Sequence, residues 1–359
     1  MEHMTRRTFV EIGAIASGAM VLTGLVGCGS ASKSSGEIAS SSSTPSKSDS
    51  ASAQSSSAST QNVKPSASSN SSAPHVYFTR ALDSAGLQAV FEAIGKGLGD
   101  GNIGVKLSSG EPGGNHYLKA NLIADLVHAV NGTIVECNTA YGGGRSTTEA
   151  HYRVAKEHGF TDIANFQIMD EAGSLSLPVE GGTHLSENLV GAHFGDYDGF
   201  LVLSHFKGHT MAGFGGALKN ISIGMASREG KLLIHSAGTN RESWSSAKTP
   251  DFLESMADAC KAVLAAQPNM LFVNVMNNLS VDCDCDSDPA PPKMADIGIL
   301  ASADPVALDQ ACVDLVYASD DDSADLIARI ESRDGTHVLE AAETLGVGSR
   351  AYDLVEIGH

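Results

Sequence analysis

Basic residues are scarce in this chain. Its 359 residues carry 23 Lys and Arg against 42 Asp and Glu, a formal net charge of −19. A nucleic-acid-binding face needs concentrated positive charge, so that class is excluded. The acidic balance implies solubility and says nothing finer about partners. Several familiar signatures are also missing. No CxxCxxC run exists, so no ordinary ferredoxin cluster is encoded. The glycine-rich GFGGALK at 213–219 is neither a P-loop nor a GxGxxG fingerprint. No short internal repeat is present. The apolar run from Ile12 to Val26 is short for a membrane-spanning helix. Apolar content of 42% nevertheless marks a globular chain.

The amino terminus reads as an address. Thr5-Arg6-Arg7-Thr8-Phe9 precedes that apolar run, in the form of a twin-arginine export signal. The run ends at Leu25-Val26-Gly27-Cys28, which resembles a bacterial lipobox with Cys28 as the lipidated first residue of the mature chain. Residues 1–28 are therefore expected to direct export. Residues 29–75, rich in Ser and Ala with almost no aliphatic content, are expected to form a flexible tether. The expected location is the outer face of the cell membrane, anchored through Cys28.

Residues 76–359 carry the fold. Apolar runs at 76–79, 103–107, 133–137, 166–169, 189–193, 199–204, 271–276, 297–300 and 352–357 read as strands, alternating with helical patterns. The class is α/β, with a largely parallel sheet flanked by helices, in one body or as two α/β lobes around a crevice. Three loops that follow strands are polar and glycine-rich: 108–115, 138–146 and the stretch from His205 to Ser236. In a parallel sheet such loops share one edge and can converge on one crevice.

The last of these is the focus. It holds His205, His209, Gly213, Gly215, Gly216, Lys219 and His235. Glycines let the backbone approach a ligand, and the first turn of a following helix offers N–H groups to an anion. The expectation is an anionic ligand or cofactor on the Gly213–Gly216 turn, with imidazoles and the Lys219 amine facing it and His235 on a second loop. Arg145, in the 138–146 loop, either pairs with a carboxylate or phosphate or is a surface arginine. With Cys28 assigned to lipid, five cysteines remain. Cys260 and Cys312 sit among apolar neighbours and read as buried thiols. Cys283 and Cys285, flanked by Asp282, Asp284 and Asp286, suit a soft or borderline metal but need a further ligand. A disulfide between them would close a strained ring.

Together these segments resemble the DUF362 family. The resemblance is carried by Val105-Lys106-Leu107 with Gly110-Glu111, Asn138-Thr139-Ala140-Tyr141 with Arg145, HFKGHTMAGFGGALKN at 205–220, Gly224-Met225-Ala226, His235-Ser236, Asp282-Cys283-Asp284-Cys285, and Asp296 through Ala311. Many members look like iron–sulfur proteins through an insertion after the segment equivalent to His235-Ser236. Here that place holds AGTNRESWSSAKTP, without cysteine. The central stretch is also similar to the signature of the nickel-pincer lactate racemase family, with matching intervals from His209 to Lys219 and on to His235. That resemblance implies a covalent cofactor on Lys219, a metal ligand at His235, and an acid/base role for His209. The loop corresponding to that family's second acid/base histidine carries Arg145. The implied cofactor is thus a metal group, nickel pincer-like or iron–sulfur, with His235, Cys283 and Cys285 as metal candidates and His209 and Arg145 as catalytic ones. Three readings stay open: an enzyme acting on a small anionic molecule, a surface binding module without turnover, and a redox partner.

Overall fold

Seven consecutive buried residues in each of two apolar segments set the centre of the molecule: Gly199–His205 and Met270–Met276. A strand buried along its whole length is covered on both faces, which requires helices on each side. The computed structural model describes residues 73–358. The export signal, Cys28 and the tether up to residue 72 lie outside the described residues.

The strands are β1 (His75–Thr79), β2 (Ile103–Lys106), β3 (Thr133–Glu136), β4 (Phe166–Ile168), β5 (Ser174–Pro178), β6 (Glu187–Gly191), β7 (Gly199–His205), β8 (Lys207–His209), β9 (Gly213–Gly215), β10 (Met270–Met276), β11 (Gly298–Ser302) and β12 (Asp353–Glu356). The helices are α1 (Ser84–Ala93), α2 (Ala120–Ala129), α3 (Thr148–Glu157), α4 (Phe160–Ile163), α5 (Ala217–Ser222), α6 (Arg228–His235), α7 (Thr249–Ala266), α8 (Pro305–Tyr317), α9 (Ala324–Glu331) and α10 (His337–Thr344). Their starts follow local chemistry. The Asp83 and Thr147 side chains accept from the backbone N–H groups of Gly86 and Ala150. Asp304 caps α8 by accepting from Val306 and Ala307, with Pro305 in the first turn.

Eight strands form one sheet in the order β12-β1-β11-β10-β7-β2-β3-β4. Every pairing is parallel except those of β11 with β1 and β10. The α/β class and the largely parallel sheet are as the alternation of elements indicates. From β2 the chain steps outward through β3 to β4; from β7 it steps the other way, to β10 and β11. The direction of winding therefore reverses between the neighbours β2 and β7. At such a switch point the loops leaving two adjacent strands diverge to opposite faces and leave a crevice at the carboxyl edge.

Two hairpins stand outside this sheet. The apolar run at 189–193 belongs to β6, which pairs antiparallel with β5 and not with the main sheet. The outer residues of β5 are exposed, as fits a ribbon solvated on one face. The second hairpin, β8 with β9, folds the 207–215 stretch that sequence reads as a loop. No helix among the described residues is long and apolar enough to cross a membrane.

Candidate cofactor and substrate site

Three parallel strands deliver their last residues to one place, and a fourth the loop that follows it. β2 ends on Lys106, β3 on Glu136 and β7 on His205, while the loop after β10 brings Cys283 and Cys285. All of them line a cavity of about 330 Å³, within the usual range for small-molecule sites. Its wall includes Lys106, Lys207, Lys219, Lys231 and Arg145, with His205, His209 and His235, against the carboxylate of Glu136. A chain of net charge −19 has thus gathered cations around a single hollow.

Most of these cations are engaged by the protein. The Lys207 Nζ lies 2.7 Å from Asp284 Oδ2, and His205 Nδ1 lies 2.9 Å from Asp284 Oδ1. His205 Nε2 is 2.6 Å from the Asn277 carbonyl oxygen. Both His205 partners accept, so both bonds form together only on a ring carrying both protons. Burial alone would raise the Asp284 carboxyl, but His205 and Lys207 outweigh it and hold the group well below the usual carboxylate range. Lys106 donates to the Leu107 carbonyl at 2.6 Å and to Asn220 Oδ1 at 2.9 Å, and burial lowers its amine to about 8. Lys231 donates to the Ala226 carbonyl.

Arg145 pairs with carboxylates, one of its two expected states, and they are the protein's own. It is buried, and its guanidinium faces protein groups. Nε donates to Glu111 at 3.0 Å, Nη1 to Glu136 and Ser108 at 3.2 Å each, and Nη2 to the Tyr141 hydroxyl at 3.2 Å. Tyr141 in turn donates to Glu111. Arg145 therefore ties the loops after β2 and β3 together, and four of its five N–H donors are occupied in doing so. Lys219 is the contrast. Among the described residues its amine has no hydrogen-bond or ion-pair partner, and it faces the cavity.

His209 and His235 hold opposite tautomers. His209 Nδ1 accepts from the Ala212 N–H at 3.0 Å and the Met211 N–H at 3.3 Å, which leaves the proton of a neutral ring on Nε2. His235 closes α6 and is not on a loop; its Nδ1 donates to the Lys231 carbonyl at 2.6 Å, which leaves the Nε2 lone pair free. Its ring stacks on Phe252 at 4.8 Å and meets Trp244 at 4.7 Å. Burial, with the nearby Lys219 charge, pushes His209 down to about 4; burial likewise pushes His235 down to about 4. The cavity thus has one neutral donor and one neutral acceptor. Carbon-13 shifts of the two imidazoles should stay at their neutral values down to pH 5.5, where an ordinary histidine is mostly protonated. A midpoint near 6.5 for either ring would contradict the assignment.

The glycine turn works differently from its expected role. Gly213 has φ +78°, and a side chain there would run into the backbone of Gly335 and Ile330, so it serves the packing of β9 on α9. Gly216 leaves room for the carboxylate of Asp309. That carboxylate takes the N–H groups of Ala217 at 2.7 Å and Leu218 at 2.9 Å, with Asn274 Nδ2 at 2.7 Å. The amides that sequence offers to a ligand anion are therefore held by an internal one, and burial raises the Asp309 carboxyl to about 6. Of the three glycines, Gly215 and Gly216 line the cavity.

The cysteine pair joins this cavity, with a different third group from the one expected. Ligand atoms of Cys283, Cys285 and His209 lie within 4.8 Å of one another; His235 is not in that group. Bonding from the Cys285 thiol, with the Lys219 and His209 groups, overcomes burial and holds the Cys283 thiol well below its ordinary value. Cys260 and Cys312 are buried, as read from sequence, and burial raises both thiols.

A family model described as "Domain of unknown function (DUF362)" matches residues 103–314. The chain belongs to the DUF362 family. The matched span runs from β2 into α8 and encloses every loop of the cavity. Among curated proteins none matches. Two solved structures are similar in outline. One is the lactate racemase apoprotein from Thermoanaerobacterium thermosaccharolyticum, at 12% identity and TM-score 0.40, covering 78% of this chain and 82% of that one. The other is a protein from Thermotoga maritima, at 15% identity and TM-score 0.39, covering 64% of this chain and 57% of that one. Likeness at this level fixes no shared activity.

In this DUF362 chain the cysteine-free segment after His235-Ser236 forms part of the wall. The Ala247 N–H returns to the His235 carbonyl at 2.8 Å, and Trp244 lies over the His235 ring. Sequence reasoning missed Lys106, Lys207, Lys231, Glu136, Asp284 and Asp309. A signal existed for some. Lys106 closes an otherwise apolar strand, and Asp309 sits on an apolar helix pattern; a charge in such a place must have a buried partner.

Proposed function

We propose that this cavity binds a small phosphate- or carboxylate-bearing molecule as cofactor or substrate, and that the domain acts on a small anionic compound. The observation that carries the reading is the free Lys219 amine in a hollow ringed by cations whose other members are held in place. Fixed cations orient an anion; the free amine supplies the charge that pairs with it or the nucleophile that bonds to it. His235 Nε2 then takes a proton or ligates a metal, and His209 Nε2–H donates a hydrogen bond to negative charge on the bound molecule.

A cofactor of the nickel-pincer kind fits two of these groups. Lys219 is free to hold it, and the His235 tautomer suits a metal, because its Nδ1–H is anchored on a carbonyl. When bound, such a group would supply a metal centre for proton or hydride chemistry beside a substrate carboxylate. Arg145 lies where a second proton carrier would be needed, and it is tied to Glu111 and Glu136. Proton transfer therefore falls to His235, whose Nε2 lone pair is free, with His209 as a hydrogen-bond donor. The engagement of Arg145 also favours a second reading, capture of an anion without turnover. A redox partnership through iron–sulfur chemistry is the third. In each reading the domain is exported and held at the outer membrane face by lipidated Cys28, with a small molecule or metal as its ligand and no nucleic acid.

The test is the full chain purified from its native host. A mass adduct on the Lys219 peptide with bound nickel is expected for the cofactor reading. Binding of pyrophosphate to metal-free protein with unmodified Lys219 identifies capture. Iron with acid-labile sulfide identifies the redox partner. An unmodified, metal-free chain that binds neither pyrophosphate nor small carboxylates would sink the proposal.

A further inference from the structure

Two sulfur atoms share the cavity wall and take no part in the anion site. Cys283 and Cys285 flank Asp284 in a tight turn closed by the Asp286 N–H on the Cys283 carbonyl at 2.8 Å. Asp284 anchors that turn. Its carboxylate is buried against His205 and Lys207, and its carbonyl receives the Glu111 N–H at 2.9 Å. Both cysteines, free thiols, line the cavity. The Cys285 N–H lies 3.4 Å from Cys283 Sγ.

Three ligand atoms within 4.8 Å, from His209, Cys283 and Cys285, invite a metal. The His209 ring argues against it. Its Nδ1 already accepts two backbone N–H groups, so a neutral ring carries its proton on Nε2 and has no lone pair there to give. Two sulfurs alone fall short of the four ligands a closed tetrahedral site requires. What Nε2–H can do is donate to a sulfur. A cysteine pair separated by one residue closes a strained ring, and strained disulfides are the oxidising, exchangeable ones.

We propose that Cys283 and Cys285 are a redox-active dithiol that exchanges with small anionic disulfides entering the cavity. The Cys283 thiolate attacks one sulfur of the disulfide RSSR. A bond from Cys283 to SR forms, the S–S bond of RSSR breaks, and RS⁻ leaves. Cys285, losing its proton to that leaving thiolate, then attacks Cys283 Sγ and expels the second RS⁻, which takes up from water the proton that Cys283 released on ionising. Two electrons pass from the dithiol to RSSR, giving two RSH and a Cys283–Cys285 disulfide; the reverse direction oxidises two thiols. The choice of an anionic disulfide rests on the anion-binding reading above, with Lys219 as the charge that draws it in.

The test uses the reduced full-length chain and oxidised glutathione, with alkylation of remaining thiols and peptide mapping. Cys283 and Cys285 should lose alkylation together while Cys137, Cys260 and Cys312, once the chain is unfolded, alkylate as before. The Cys285→Ser variant should stop at one glutathione bonded to Cys283. Lys219→Ala should slow exchange with both disulfides, because its charge favours the Cys283 thiolate, but should slow oxidised glutathione about tenfold more than the neutral bis(2-hydroxyethyl) disulfide. An equal loss with the two disulfides in Lys219→Ala would overturn the anion preference, leaving the amine a role on the thiolate alone. Cysteines that stay fully alkylatable after oxidant in folded protein overturn the proposal. So does a stoichiometric thiophilic metal that disappears in Cys283→Ser.

Discussion

Asp284→Ala is expected to lower the free energy of unfolding by about 3–5 kcal/mol. The carboxylate side chain is 1% exposed and lies between Lys207 and His205, themselves buried. Removing it leaves the Lys207 ammonium without its counter-charge and His205 Nδ1 without its partner in a low-dielectric setting, and that uncompensated burial dominates the loss. The turn bearing Cys283 and Cys285 also loses its anchor, so thiol exchange should fail along with stability. The pH dependence has a definite sign. The folded-state carboxyl is held below its ordinary value of 3.8. Its contribution is therefore complete above that value and is lost as pH falls below it, through the folded-state value. Urea unfolding at pH 7 and at pH 3 should show the wild type losing part of its advantage over Asp284→Ala in acid. A loss under 1 kcal/mol at pH 7 would mean that Lys207 and His205 find water or another anion.

Lys219→Ala should act on the ligand and spare the fold. Its amine has no partner among the described residues, so the unfolding midpoint should stay within about 0.5 kcal/mol of wild type. Anion affinity should fall about 10- to 100-fold, the usual worth of one charge-assisted hydrogen bond. Calorimetric titration with pyrophosphate reads this directly, and raising salt should narrow the gap between the two proteins. Lys207→Ala is the informative contrast, since it strands Asp284 and should destabilise the chain. If Lys219→Ala binds pyrophosphate as the wild type does, the anion is held elsewhere and the central assignment falls.

The sheet was largely legible because its signal is local. Continuous apolar runs such as 199–204 and 271–276 have few alternatives to buried strands, and the glycine-rich loops after them point to one edge. The convergence of His209, Lys219 and His235 on one hollow was legible too, from clustering alone. What sequence could not show was direction. Whether a buried arginine faces a ligand or a carboxylate depends on Glu111, 34 residues away in the loop after β2, and on which way Glu136 points from the end of β3. Likewise the anion at the start of α5 comes from Asp309 on α8, ninety residues away. His235 gave a helical pattern shorter than three turns, easily read as loop. The β8–β9 hairpin was missed because three-residue strands carry no period.

The sole tryptophan of the chain is Trp244, half-exposed at the cavity wall with its ring 4.7 Å from His235. Emission excited at the red edge therefore comes from one address in the molecule. An imidazolium quenches indole where a neutral imidazole does not, and an arriving ligand changes the solvent around the ring. The protein carries its own optical gauge of occupancy and of His235 charge, readable in dilute solution without a label.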